Sequence, residues 1–253
     1  MLNFKNYLKE ELGFTLEYHN VLNPLVWEND KIKSNVLDRL LHIGKLWSKF
    51  ANIPESAVVD TVLTGGNANY NYTPHSDLDI HLLVKMESFP VDKKFLSDYL
   101  YDKKILWTMK YPGLTVMGYP VELYAQDYRQ QVASHQGVYS LKKNKWIHKP
   151  ILENHPEFVN DSALKSKIQE YITMIEKIIS EPGDHAAEIK KLKDKLYEMR
   201  LAGIARSGEF SNENLIYKDL RNRGLLDALN NYLQKTMIQQ LSLSPPVPPS
   251  PPY

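Results

Sequence analysis

The sequence predicts an α+β protein, in which a small mixed β-sheet flanked by helices is followed by an α-helical bundle. Three observations predict it. Up to about residue 150, short β-branched runs alternate with amphipathic stretches; after it, only helical periodicity remains. The chain then closes on "SPPVPPSPPY", a run that neither a helix nor a sheet interior accepts. The expected division is residues 1–150 for the sheet domain, 151–241 for the helical domain and 242–253 for an extended, disordered tail.

The elements follow in order. Leu2 to Leu12 and Ile32 to Phe50 carry apolar residues at three- and four-residue spacing, as amphipathic helices do. "AVVDTVLTGG" reads as a β-branched strand that stops at a glycine pair, and "DLDIHLLV" as the next strand. Asp92 to Met109 reads as helix, with a turn at Pro112-Gly113. "LTVMGYPVELYAQD" is a third strand or hairpin arm, where Pro120 marks an edge or a bulge. Beyond residue 150, Leu164, Ile168, Tyr171, Ile172, Ile175 and Ile179 form a stripe on a helix from Ser162 to Ser180. "EPGD" breaks it, and Asp184 is placed to cap a second helix running to about Arg206, with Ile189, Leu192, Leu196 and Met199 facing the core. Ser211 caps a third helix, and Leu225 to Leu241 makes a fourth.

Composition excludes more than it proposes. Lys+Arg 31 against Asp+Glu 30 leaves a net charge of +1, so no global field draws the chain to nucleic acid or membrane. The absence of Cys removes disulfide frameworks, thiolate zinc sites and cysteine nucleophiles together, and suits a reducing compartment. The N-terminus "MLNFKNYLKEELGF" lacks the apolar core of a signal peptide, and no run approaches the roughly 18 apolar residues of a membrane span. A soluble, cytoplasmic protein with no membrane partner is expected.

Chemistry concentrates in "GGNANYNYTPHSDLDIHLLV", Gly65 to Val84. Strand alternation puts Asp77 and Asp79 on one face, with Leu78 and Ile80 on the other. A third acid, Glu122 in "PVELY", lies on a later strand. Three carboxylates on neighbouring strands repel one another unless a divalent cation neutralises them, and hard oxygen ligands suit magnesium or manganese. Gly65 and Gly66 close the preceding strand and let a ligand approach the backbone.

This pattern resembles the signature of the DNA polymerase β-like nucleotidyltransferase superfamily. Leu63 and Thr64 precede Gly65-Gly66, the spacer runs from Asn67 to Ser76, and Asp77-Leu78-Asp79-Ile80 closes the motif, with Glu122 in the place of the third carboxylate. The resemblance covers about residues 30 to 125, and a helical domain after the catalytic one is common in that superfamily. More loosely, the full chain is similar to uncharacterised predicted nucleotidyltransferases of bacteria and large phages. The resemblance implies a metal-dependent nucleotidyltransferase of the EC 2.7.7 type that moves an NMP from an NTP, ATP among them, to an acceptor and releases pyrophosphate. Asp77 and Asp79 would hold both Mg2+ (or Mn2+) ions; Glu122 would hold the catalytic one and help deprotonate the attacker. Gly66 stands where many members have a phosphate-contacting serine, and backbone N–H groups at Gly65, Gly66 and Asn67 would serve instead. Glu122 replaces an aspartate that some members use.

Weaker candidates carry two readings each. Ser76 either contacts a phosphate or shapes the turn, with the turn favoured. His75 and His81 invite a metal role, but His81 lies two positions deeper than Asp79 and reads as a satisfied neighbour. In "SLKKNKWIHK", Lys142, Lys143, Lys145, Lys149 and Trp146 pair charge with ring as nucleotide contacts do; the plainer reading is a solvated hairpin with Trp146 plugging a domain interface. Lys218, Arg221 and Arg223 either close over a triphosphate or favour a helix C-terminus. A cleft between the two domains, bordered by the hairpin, is the expected acceptor site. The acceptor stays open among an RNA end (tRNA or another structured RNA), a protein hydroxyl, a small molecule and a second nucleotide. A catalytically inactive nucleotide or RNA sensor of the same fold, and an interaction module acting through the Pro-rich tail, are the alternatives.

Overall fold

The computed structural model describes residues 15–130, 136–152 and 161–243. The expected helix over Leu2 to Leu12 and the Pro-rich stretch from residue 244 lie outside the described residues. The chain divides into two compact units, one of Leu16–Val159 and one of the described residues within Met1–Thr15 and Asn160–Tyr253. Among the described residues no helix is long and apolar enough to cross a membrane.

In the first unit β1 (Trp27–Glu28) and β2 (Lys31–Ile32) form a small hairpin, and α1 (Ser34–Phe50) follows. Ile32, expected to open the helix, instead pairs with Trp27 as strand. The reason is local: Asn29 and Asp30 both take positive φ (47° and 63°), the geometry of a two-residue hairpin turn. The main sheet combines β3 (Val58–Thr64), β4 (Leu78–Val84), β5 (Thr115–Val116), β6 (Tyr119–Asp127), β7 (Val138–Ser140) and β8 (Lys145–His148) in the order β5-β6-β4-β3-β7-β8. β4 and β6 run parallel, joined through α2 (Lys93–Lys110), while the other neighbours are antiparallel, so the sheet is mixed as expected. Asp92 caps α2 by accepting from the amides of Lys94 and Phe95. Met117 and Gly118, both at positive φ, make the β5–β6 turn. Pro120 pairs only with Thr115, one residue before the β4 ladder begins at Val121, so its missing N–H costs that ladder nothing.

Alternation decides the two faces of the sheet. Leu78, Ile80, Leu82 and Val84 are buried and join Val36, Leu40, Ile43 and Trp47 of α1 in one apolar core. Asp79, His81 and Leu83 point the other way and are half-buried. Ile80 lies opposite Leu63 and Leu123, Leu63 opposite Tyr139, and Tyr139 opposite Trp146. Cross-strand partners share a face. The Trp146 ring therefore belongs to the core side, away from the acids, and stacks on Trp27 (4.6 Å between centroids, 14° between planes) while its Nε1 donates to the Asp30 carbonyl. The Trp27 stack and the Asp30 bond both lie within the sheet unit, which departs from the nucleotide-stacking reading. Three of the hairpin's lysines are likewise engaged at home: Lys142 donates to the Val58 carbonyl, Lys143 lies 3.6 Å from the buried Asp60, and Lys149 pairs with Asp30. Trp146→Ala should accordingly lower the stability of this unit by about 2–3 kcal/mol, below the roughly 3–5 of a fully buried Trp. In an equilibrium denaturation paired with nucleotide titrations, nucleotide affinity should not move.

The second unit is helical, as the periodicity predicts, with α3 (Ser162–Ser180), α4 (Ala186–Ser207), α5 (Asn212–Asn222) and α6 (Leu225–Leu241). The α3 stripe buries Leu164, Ile168, Tyr171, Ile172 and Ile175, then ends on Ile178 rather than Ile179, because the three-residue step keeps the row on the Tyr171–Ile175 side. Asp184 does take an orphan amide of α4, that of Ala186, although His185 holds the cap position. Ser211 caps α5 through the Asn214 amide. Arg223, offered above as a phosphate clamp, is tied to the buried Asp219 one turn earlier.

Candidate functional site

The glycine loop and the two acids are held by a bracket of asparagines. Asn67 is fully buried: its Nδ2 donates to the Asp77 carbonyl (2.8 Å), its Oδ1 accepts from Asn23 Nδ2 (2.6 Å), and its own carbonyl accepts from Trp27 Nε1 (2.6 Å). Asn69 donates to the Gly65 carbonyl (2.7 Å) and accepts from the Gly137 amide (2.9 Å), while Thr64 Oγ1 donates to the Gly137 carbonyl. Ser76 is buried and its hydroxyl accepts from the Thr73 amide, so it shapes the turn that delivers Asp77. The Asn67 side chain is therefore turned inward.

The glycines are constrained differently. Gly65 has φ +76°, and a Cβ built on it would fall 1.7 Å from Asp79 Oδ2; on Gly66 it would fall 3.0 Å from Ser76 Oγ. Gly65 is thus required by the acid itself, which lies against its backbone. Gly137 meets the same demand from behind the loop, since a Cβ there would lie 1.9 Å from the Ala68 carbonyl oxygen.

The register of β4 and β6 sets Asp79 directly opposite Glu122, and Thr64 opposite Asp79. Asp77, two residues before Asp79, shares their face. The three half-buried carboxylates converge, each offering an oxygen within 4.8 Å of the others, which is a spacing that could hold a divalent ion. Gly65, Gly66, Asn67 and Ser76 stand beside them, and His75 lies exposed on the loop, outside that cluster. His81 points to the same face but gives Nδ1 to Gln126 (2.8 Å), and burial pushes its pKa down. It is the satisfied neighbour that its depth in the strand implies.

Sequence reasoning missed Lys104. From the fourth turn of α2 it forms an ion pair with Glu122, and its ammonium lies 5.7 Å from the centre of the Tyr124 ring. A lysine in a helix carrying Lys93, Lys94, Lys103 and Lys110 gives no local sign of being different. The asparagine bracket did leave a sign, since "GGNANYNY" alternates Asn in a loop that must turn. Two residues along from Glu122, Tyr124 borders a recess of about 620 Å³ that Gln126, Ser97 and Tyr101 also line. Its two cations are matched: Lys93 and Arg129 both pair with Asp127, and Arg129 also with Glu87. The recess carries no surplus positive charge to attract a polyphosphate.

No family model and no curated protein matches the chain. Among solved structures, it is similar to the STING-associated CdnE c-di-GMP synthase from Capnocytophaga granulosa, at 11% identity over 83% of this chain and 84% of that one. The TM-score is 0.20, a likeness too slight to establish a shared fold.

Proposed function

We propose that the protein is a metal-dependent nucleotidyltransferase that moves an NMP from an NTP to an acceptor hydroxyl or phosphate. The convergence of Asp77, Asp79 and Glu122 on the open face of two parallel strands carries this reading. A site meant only to bind a nucleotide gains nothing from three crowded acids, which repel its phosphates. The donor set is all carboxylate oxygen, which fits Mg2+ or Mn2+ better than a soft metal. The ions, when bound, would neutralise the phosphates and stabilise the entering and leaving oxygens.

The chain's own residues would do the rest. Asp77 and Asp79 would hold the ions that neutralise the triphosphate, and the backbone of Gly65, Gly66 and Asn67 would meet the phosphates where no side chain intrudes. An acceptor oxygen forms the new bond to the α-phosphorus as the bond to the bridging oxygen breaks and pyrophosphate departs; Glu122 takes the acceptor proton. The charge-balanced recess beside Tyr124 would seat the acceptor, because it offers rings and amides and its two cations are already paired with Asp127.

Incubation with each α-labelled NTP, Mg2+ or Mn2+, and total cell RNA plus protein extract and small metabolites should place label on one acceptor class and release pyrophosphate. The Asp79→Asn variant should do neither. A protein that binds nucleotide but transfers no label to any fraction is a sensor instead.

A further inference from the structure

A second groove in the sheet unit carries positive charge that no carboxylate answers. It runs between α1, the end of α2 and β5, and encloses about 710 Å³. It shares no lining residue with the acid cluster or with the recess beside Tyr124. Its buried lining is apolar, with Val36, Ile43 and Val116, and Phe50, Trp107 and Tyr111 add three rings packed in series. Arg39 and His42, exposed and one turn apart on α1, also line it, and the Lys110 ammonium lies 5.5 Å from the centres of both the Phe50 and Tyr111 rings. Among the described residues no acid lines the groove, and no carboxylate pairs with Arg39, His42 or Lys110. The recess beside Tyr124 differs, since Asp127 answers both of its cations. Trp107 is 7% exposed and its Nε1 is buried without a hydrogen-bond partner, so a residue of the groove's wall also holds an unused donor.

Size, shape and charge together select a ligand class. A concavity of several hundred Å³ suits a small molecule. The row of rings favours a flat aromatic body, and the apolar lining leaves too few donors for a sugar or a polyphosphate chain. The Arg39 guanidinium favours a carboxylate, which it can meet with two parallel N–H bonds. We propose that this groove binds a small aromatic carboxylate, its ring against Phe50, Trp107 and Tyr111 and its carboxylate at Arg39. His42 and Lys110 add to the positive field that draws the anion in. The site is independent of the nucleotidyltransferase reading, because it uses none of the three acids.

The test is isothermal titration calorimetry of the purified full chain, with no metal or nucleotide present. The probes are 2-naphthoate and 2-naphthamide, which share a shape and differ in charge. Wild type should bind 2-naphthoate at one site and the amide roughly tenfold more weakly, the loss expected for one charge-assisted hydrogen bond. Arg39→Gln should weaken 2-naphthoate by about the same factor and remove the preference for the acid. Leu46→Glu, which sets a negative charge on an exposed lining residue, should weaken the acid more than the amide. Lys45→Gln makes the same change in net charge as Arg39→Gln at an exposed position of α1 outside the lining, and should leave both probes unchanged. All three positions are exposed, so the variants should melt within a few degrees of wild type. No binding of 2-naphthoate, equal affinity for acid and amide, or full affinity in Arg39→Gln would overturn the site. An equal loss in Lys45→Gln would overturn it as well. ATP that displaces 2-naphthoate from wild type would make the groove a nucleotide site and overturn the ligand class.

Discussion

Asp77→Asn should melt no lower than wild type in the absence of metal, yet lower than wild type in millimolar manganese. Without an ion, three half-buried carboxylates within 4.8 Å of one another repel, and Lys104 answers the charge of Glu122. Converting one of them to a neutral amide of the same shape relieves that repulsion, a gain of up to about 1 kcal/mol where solvent screens the charges. The backbone loses nothing, because the bond that fixes Asp77 runs from Asn67 Nδ2 to its carbonyl rather than its side chain. With metal the order reverses. An ion at about 100 times its dissociation constant stabilises the wild-type fold by about 2.7 kcal/mol, and the variant forgoes most of it. Transfer should fall by on the order of 10³-fold or more, about 4 kcal/mol in the barrier, since a direct ligand matters more than the outer-shell partners whose loss costs about 10–100-fold. Paired thermal melts with and without MnCl2 read the crossover. A variant that melts lower in both conditions would make Asp77 a structural residue; one that retains full transfer would remove it from the site.

How much of this was legible in the sequence depends on the range over which each feature is specified. Alternation is a two-residue signal, so "DLDIHLL" alone states that Asp77 and Asp79 share a face opposite Leu78 and Ile80, and the register agrees. Helical stripes and the Ser211 cap are also local, and they fall where the spacing puts them, with Ile178 for Ile179 the one slip along α3. Trp146 needed two non-local facts: that β7 lies against β3, and that Tyr139 meets Leu63 there. A one-residue change in that register would have sent the ring to the acid face. Its charged neighbours pointed to a nucleotide, but the pairing of strands about 75 residues apart decided otherwise. Lys104 was hidden for a related reason. What singles it out is the run of α2 past β6, and nothing in a helix with five lysines records that.

Gly65→Ala should disable the acid cluster and destabilise the fold together. Two penalties coincide. The residue sits at φ +76° and ψ −165°, a region essentially reserved for glycine where an L side chain costs on the order of 1–3 kcal/mol, and its new Cβ would fall 1.7 Å from Asp79 Oδ2 and 2.7 Å from Asp79 Cγ. The second cannot be absorbed in place, so either the loop moves or the Asp79 carboxylate swings out of the cluster. The loop resists, because Asn69 holds the Gly65 carbonyl and Asn67 anchors the turn from inside. Asp79 should therefore yield, with loss of Mn2+ binding and of transfer comparable to Asp79→Asn, and a stability loss of about 2–4 kcal/mol from strain and displaced contacts. Gly66→Ala makes a useful contrast. Its Cβ would lie 3.0 Å from the Ser76 hydroxyl, a group that can give by a few tenths of an ångström, so activity should persist and Gly66→Ser should be tolerated as well. A double-mutant cycle isolates the cause. In an Asp79→Ala background the clashing Cγ and Oδ2 are gone and only Cβ, 3.2 Å away, remains, so Gly65→Ala should then cost little beyond its backbone strain. A coupling energy above about 1 kcal/mol between the two positions, measured by denaturant unfolding, is the expected result. Additive costs would mean that Gly65 serves the turn alone, and that the acid does not lie against its backbone.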